Sequence, residues 1–212
     1  PLTGLTPAQP RVDACVYRYP VGTASRECQA FVDQALGMYY SYVWIEAARA
    51  AETALAHDPE CAYAWLVLNR ALEKWGRGAA APKAGGFAAA LGGPGFATLP
   101  PRYTRSPLDG SLEMARNLMP RAGHREQLHI QARLQEKGMW PDVKPDERKK
   151  KAQQTLDELL MLYEDDEEGW FWRAQLADDG NAKAVFYKAL LRINPVHPGA
   201  NHELVHFFEN VR

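Results

Sequence analysis

The sequence predicts an all-α protein built from antiparallel helix pairs, and two observations support this fold class. From Glu27 to Trp75 the chain is dominated by Ala, Leu, Glu, Arg and Gln, and apolar residues recur every three or four positions. That spacing places the apolar side chains on one face of a helix. Pro59 is the only proline within this stretch, so it marks the end of one helix pair and the start of the next.

The residues before Pro59 predict a unit of the tetratricopeptide kind. Such a unit is a helix hairpin of about 34 residues, with small residues where its helices touch and a proline near its end. Counting back from Pro59 places Phe31 at the large position of the first helix and alanines at the small positions of the second. These alanines are Ala47, Ala51 and Ala54. We therefore expect helix-hairpin repeats stacked into an α-solenoid.

A second copy of this pattern is less regular and lies near the end of the chain. Asn194-Pro195 closes it, after a second helix that carries Ala182 and Phe186 and a short first helix from Trp170 to Ala177. Between the two copies, amphipathic stretches predict three more helices. These stretches are 109–120, 123–137 and 146–163.

Two segments fall outside the repeat pattern. Residues 1–24 contain four prolines and show little periodicity, so we expect an extended arm that ends where Ser25 caps the first helix. Residues 76–107 are crowded with Gly, Ala and Pro and predict a long insertion crossing the repeat surface. The helical-repeat domain is therefore expected to cover residues 25–212, interrupted by this insertion.

Composition excludes several classes of partner. The 25 Lys and Arg residues against 26 Asp and Glu give a net charge of -1, without the basic surplus typical of nucleic-acid-binding proteins. No apolar run approaches the roughly 18–20 residues that span a bilayer. The chain opens with Pro1 and lacks the apolar core of a signal peptide, which indicates a soluble, processed or trimmed chain.

The three cysteines do not form a metal-binding pattern, since none is part of a Cys-x-x-Cys pair. Cys61 lies among small and aromatic residues and is interpreted as a buried apolar residue. Cys15 and Cys28 flank the turn-rich stretch Tyr19–Thr23 and could close a disulfide loop, which would indicate an exported protein. The sequence leaves open whether they do, and it therefore does not specify a location.

Several blocks of the sequence together form a specific pattern. They are Pro20-Val21-x-Thr23-x-Ser25; Gln29, Phe31, Asp33-Gln34, Leu36 and Tyr39-Tyr40; Glu46-Ala47, Asp58-Pro59 and Cys61-Ala62; Arg125-Glu126 with Ile130-x-Ala132; and His197-Pro198-Gly199-Ala200-Asn201-His202 with His206. This pattern resembles a largely uncharacterised bacterial family of tetratricopeptide-repeat proteins. The resemblance covers most of the chain outside residues 76–107, and it implies the repeat fold but no established reaction. Members typically continue into a further histidine-containing block and more repeats, so we expect this chain, which stops at Arg212, to be truncated at its C-terminus.

The segment His202-Glu203-Leu204-Val205-His206 is an HExxH motif. Histidines four residues apart lie on one face of a helix and can share a zinc ion. In metallopeptidases the intervening glutamate activates a metal-bound water. The motif therefore predicts His202 and His206 as metal ligands and Glu203 as a catalytic base.

A catalytic zinc requires a third protein ligand and an open position. Glu209 follows on the same helical face, but three ligands along a straight helix would span about 10 Å and could not all reach one ion. Glu209 is therefore expected either to need a helix bend or to hydrogen-bond to a ligand. His197, His124 and His129 are alternative donors from other segments.

Two other interpretations of the motif remain open. In one, His202 and His206 are packed or hydrogen-bonded residues at a helix start capped by Asn201. In the other, they bind a metal without peptidase chemistry. No convincing strand precedes the motif to align a peptide substrate, which weighs against an enzyme. The sequence thus favours a scaffold module that binds a protein or peptide in a concave groove, with a zinc-dependent peptidase-like or metal-binding protein as the alternative. It does not identify the partner, the metal or the oligomeric state.

Overall fold

A computed structural model describes residues 2–11, 17–76 and 107–210. Within these residues the regular secondary structure is helical and no strand forms, which confirms the all-α class. The stacking of the helices into a tetratricopeptide solenoid stays a prediction. The chain divides into two compact units, which we call unit 1 (Pro1–Leu118) and unit 2 (Met119–Arg212).

The described part of unit 1 consists of the N-terminal arm followed by helices that each pack against the next in the chain. α3 also contacts α1, so α1, α2 and α3 form one packed group. The helices are α1 (Arg26–Tyr40), α2 (Trp44–His57), α3 (Ala62–Trp75) and α4 (Pro107–Leu118).

The interface between α1 and α2 is built as the sequence predicts. Ala47, Ala51 and Ala54 are fully buried, and Phe31 of α1 is buried as well. Small side chains at this spacing let two helices approach closely, because no larger group holds the backbones apart. Ser25 caps α1 as expected, and its hydroxyl accepts a hydrogen bond from the backbone N–H of Cys28 at 3.1 Å.

The insertion predicted at 76–107 lies almost entirely outside the described residues. Only its two edges are described. α3 ends at Gly76, whose φ of 71° is the left-handed conformation that favours glycine at a helix C-terminus. α4 begins at Pro107.

Unit 2 continues with helices that pack consecutively. A short 3₁₀ turn (Met119–Arg121) is followed by α5 (His124–Lys137), α6 (Arg148–Leu162), α7 (Glu167–Gln175), α8 (Gly180–Ile193) and α9 (Pro198–Asn210). The three amphipathic stretches predicted between the repeat copies correspond to α4, α5 and α6, which confirms those predictions. The short first helix predicted from Trp170 to Ala177 corresponds to α7, but α7 begins earlier, at Glu167, and ends at Gln175.

Aspartate caps begin two of these helices. Asp166 accepts a hydrogen bond from the N–H of Gly169 at 2.6 Å, and Asp179 accepts one from Ala182 at 2.9 Å. A Cβ added to Gly169 would lie 2.7 Å from the Leu159 side chain of α6. The start of α7 therefore packs closely against α6.

None of the described helices combines the length and the apolar character needed to cross a lipid bilayer.

Candidate functional site

The first candidate site is the surface of α1 and α2 that holds the N-terminal arm. We call it the arm-binding face and define it by the helical side chains that hydrogen-bond to residues 2–11. These side chains are Gln34, Arg49, Glu52 and Thr53.

Glu52 and Thr53 bind the backbone of the arm. The Glu52 carboxylate accepts hydrogen bonds from the backbone N–H groups of Leu2 and Thr3 and from the Thr3 hydroxyl. The Thr53 hydroxyl oxygen accepts the N–H of Ala8 at 2.8 Å. Thr3 and Ala8 are both buried, so these bonds satisfy backbone donors that solvent does not reach freely.

Gln34 of α1 both accepts a hydrogen bond from the arm and donates one to it. Its Oε1 accepts the N–H of Arg11 at 2.9 Å, and its Nε2 donates to the carbonyl of Gln9 at 3.1 Å. A side-chain amide that pairs with both an N–H and a C=O substitutes for the neighbouring strand that an extended chain would otherwise need. Arg49 adds a bond from Nη1 to the Thr6 hydroxyl at 3.0 Å.

An apolar cavity of about 550 Å³ lies between the arm and the helices. The arm lines it with Leu2, Leu5 and Pro7, and the helices line it with side chains that include Leu55 and Trp65. The cavity therefore offers space for additional apolar side chains beside the arm.

The second part of the arm, residues 17–24, is held by α1 and α3. The Tyr19 ring stacks on Tyr63 with centroids 5.1 Å apart, and the Tyr19 N–H donates to Asp33 at 2.9 Å. Burial raises the pKa of Asp33, although the hydrogen bonds from Tyr19 and Gln29 act in the opposite direction. Asp33 therefore accepts a hydrogen bond from the second part of the arm.

Cys28 hydrogen-bonds with Cys61, a contact that the sequence did not indicate. Both are buried, and Cys61 is the N-cap residue of α3. A hydrogen bond from the Cys61 thiol lowers the pKa of Cys28, and one from Thr23 acts in the same direction against the effect of burial. The burial predicted for Cys61 is confirmed, whereas Cys15 lies outside the described residues and the Cys15–Cys28 disulfide stays a prediction.

The second candidate site is the histidine pair of α9. The Nε2 atoms of His202 and His206 lie 2.9 Å apart, and the ring centroids are separated by 4.5 Å. Both side chains are exposed. The HExxH spacing thus brings two imidazole nitrogens to one point at the helix surface.

Glu209 contacts this pair through His206. Its Oε2 lies 3.2 Å from Nδ1 of His206, the ring nitrogen that faces away from His202. Of the two arrangements expected from the sequence, this geometry corresponds to the second, in which Glu209 hydrogen-bonds to a ligand. A carboxylate that accepts from one ring nitrogen fixes the tautomer, so the other nitrogen presents its lone pair.

The alternative histidine donors are engaged elsewhere in unit 2. His124 hydrogen-bonds to the Tyr163 hydroxyl at 3.1 Å, and His129 pairs with Asp166 at 3.0 Å. His197 is buried, and its Nδ1 accepts the N–H of Ala200. In the part of the chain that the structure describes, no three His, Cys, Asp or Glu side chains are grouped so as to hold a metal ion.

Glu203, the predicted catalytic base, is half-buried on α9. It lines a cavity of about 360 Å³ between α8 and α9, together with Lys183, Tyr187 and His206. The cavity adjoins the histidine pair, because His206 belongs to both. The hydrolytic role of Glu203 stays a prediction.

The helix start predicted at Asn201 is wrong. α9 begins at Pro198, and the Asn201 side chain donates to the carbonyls of Pro195 and His197, each at 3.1 Å. Proline is favoured at the first position of a helix because its fixed φ is helical and its missing N–H costs nothing there. His202 therefore lies in the second turn of α9 and not at the start of the helix, where it was expected.

The chain matches no protein-family model and no curated protein. Membership in the tetratricopeptide-repeat family therefore stays a prediction from its motifs.

Proposed function

We propose that unit 1 is a peptide-binding module whose arm-binding face holds an extended polypeptide segment. One observation carries this proposal: residues 2–11 of the chain lie on α1 and α2 and use their backbone groups to bind helical side chains. The face therefore has the donors and acceptors that an extended peptide requires.

Backbone contacts make this recognition tolerant of sequence. Gln34 and Thr53 bind groups that every residue except proline provides in full. The apolar cavity beside Leu2 and Leu5 would add selectivity, since it favours segments with apolar side chains at those positions. We therefore propose an extended, apolar-rich segment of a partner protein as the ligand.

The arm itself would compete with such a ligand. A tethered segment acts at an effective concentration on the order of millimolar, so a free peptide must overcome it to occupy the same face. The proposal thus includes a self-bound resting state in which residues 2–11 occupy the site.

A binding titration tests the proposal. The probe is a fluorescently labelled peptide with the sequence of residues 1–11, and the receptor is the chain lacking those residues. We expect saturable one-to-one binding by fluorescence anisotropy. Substituting Leu2→Ala and Leu5→Ala in the peptide should weaken binding, because both half-buried side chains lose apolar surface that packs beside the helices.

Gln34→Ala in the receptor provides a sharper test. Two hydrogen bonds of about 0.5–1.5 kcal/mol each predict a 5- to 150-fold weaker complex. Gln131→Ala, a matched change in unit 2, should leave the affinity within about twofold. Equal affinities for the Gln34→Ala and Gln131→Ala receptors, or no binding up to millimolar peptide, would contradict the proposal.

The metal-binding alternative has separate support in the convergence of His202 and His206. Peptidase chemistry would need a third ligand as well as Glu203, and it stays a prediction. So does a partner bound in a concave groove of stacked repeats.

A further inference from the structure

We infer that His202 and His206 form a two-histidine clamp on α9 for a late first-row divalent cation such as Zn²⁺, Ni²⁺ or Cu²⁺, oriented by Glu209. The histidine pair belongs to unit 2, so metal binding does not require peptide binding by unit 1. Three properties of the pair favour a metal ion: its spacing, its orientation and the type of atoms it presents.

The spacing fits a shared ion. Two metal–nitrogen bonds of about 2.05 Å at angles of about 90–109° separate the nitrogens by about 2.9–3.4 Å. The observed Nε2–Nε2 distance is 2.9 Å. A cation can therefore take the place of the hydrogen between the two rings with shifts of about half an ångström or less, while that proton moves from Nε2 to Nδ1 of His202 and the ring stays neutral.

The orientation is fixed by Glu209. Because Nδ1 of His206 donates to Glu209 at 3.2 Å, Nε2 of His206 carries a lone pair and His202 donates the shared proton. Once this proton has moved through solvent to Nδ1 of His202, both rings are neutral and their Nε2 lone pairs are directed at one point. Ligating histidines typically have such a carboxylate behind them, which orients the ring and raises its basicity.

The atom type selects the class of ion. Imidazole nitrogen suits Zn²⁺, Cu²⁺ and Ni²⁺, whereas Mg²⁺ and Ca²⁺ prefer oxygen ligands. Both rings are exposed, and water can fill the remaining coordination positions. With about half the ligands of a four-ligand zinc site, the clamp should bind with a dissociation constant of about 1–200 µM.

Calorimetric titration of the full chain, stripped with a chelator, tests the clamp. We expect one Zn²⁺ or Ni²⁺ per chain in this range. His202→Ala and His206→Ala should each weaken binding at least tenfold, since each removes one of two ligands. His124→Ala, which changes an exposed histidine on α5, should leave the affinity within about twofold.

A second variant separates geometry from histidine count. Asn201→His combined with His202→Ala keeps two histidines on α9 but places them five residues apart, about 140° around the helix instead of about 40°. This variant should bind as weakly as His202→Ala. Equally tight binding would overturn the clamp geometry.

Electron paramagnetic resonance of bound Cu²⁺ provides a direct readout, in which the hyperfine pattern should report two imidazole nitrogens. Glu209→Gln should weaken binding by about 3- to 10-fold, less than the 10- to 100-fold typical of buried carboxylate partners. An unchanged affinity would overturn the orienting role of Glu209. An intact-chain dissociation constant weaker than 1 mM, or equal loss in His124→Ala, would overturn the site itself.

Discussion

Replacing Asp166 with alanine should destabilise unit 2 through two separate losses. Asp166 is fully buried and accepts from the N–H of Gly169 at 2.6 Å, which caps α7. The same oxygen accepts Nε2–H of the buried His129 at 3.0 Å. Arg125 approaches the other oxygen at 3.5 Å.

The expected size follows from these contacts. Loss of a helix cap costs about 0.5–2 kcal/mol, and leaving the buried His129 donor without its acceptor costs about 1–3 kcal/mol more. Asp166→Ala should therefore lower the free energy of unfolding by about 1.5–5 kcal/mol. Urea denaturation followed by far-ultraviolet circular dichroism measures this change.

Asp179→Ala is the matched control for this prediction. Asp179 caps α8 with a 2.9 Å bond to the N–H of Ala182, but it is exposed. Its replacement should cost only the cap, about 0.5–2 kcal/mol. If Asp166→Ala costs no more than Asp179→Ala, the His129–Asp166 contact does not contribute as argued.

Three further predictions concern packing and pH. Ala51→Trp should overpack the fully buried α1–α2 interface by about 1–3 kcal/mol or more, measured by urea denaturation, whereas an unchanged unfolding free energy would contradict the close helix contact. Gly169→Ala should destabilise by about 1–3 kcal/mol, because its Cβ would meet Leu159 at 2.7 Å; a stabilised variant would contradict this packing. Burial acts to raise the pKa of Glu136, but the charges of Arg133 and Lys137 outweigh it and the net pKa is lowered below 4.5. Its stabilising contribution is therefore present above pH 4.5 and is lost as the pH falls through the lowered pKa. On acidification the unfolding free energy of Glu136→Gln should therefore fall by less than that of the unsubstituted chain. The same pH dependence in both would refute this.

The parts of the fold that the sequence predicts are those governed by local spacing. Ala47, Ala51 and Ala54 fall on one face of α2 because three- and four-residue steps return to the same side of a helix. The convergence of His202 and His206 follows from the same geometry, since both residues lie within one helix. Neither prediction requires knowledge of distant parts of the chain.

Contacts between distant residues were not predictable in this way. The arm has no periodicity, so its backbone bonds to Gln34 and Glu52 left no pattern in the sequence. The contact of Cys28 with Cys61 depends on how α1 packs beside α3. The pairing of His129 with Asp166 was partly detectable, because an aspartate before a helix is an N-cap signal, but its buried partner lies on another helix.

The boundary error at α9 has a local cause. Asn201 has the side chain of a good N-cap residue. Pro198, three residues earlier, is favoured at the first position of a helix, and α9 begins there. The earlier start at Pro198 lets Asn201 bind the carbonyls of Pro195 and His197 instead. In this segment the proline, and not the potential cap residue, marks the start of the helix.

If α1 and α2 bind an extended segment at a site that the arm occupies, the arm must compete with free peptide, and two receptors measure this competition. The labelled peptide of residues 1–11 is titrated into the intact chain and into the chain lacking those residues, with circular dichroism confirming that both are folded. We expect binding at least about tenfold weaker to the intact chain, because the tethered arm competes at an effective concentration on the order of millimolar. Equal affinity for both receptors, or no binding to either, would contradict it.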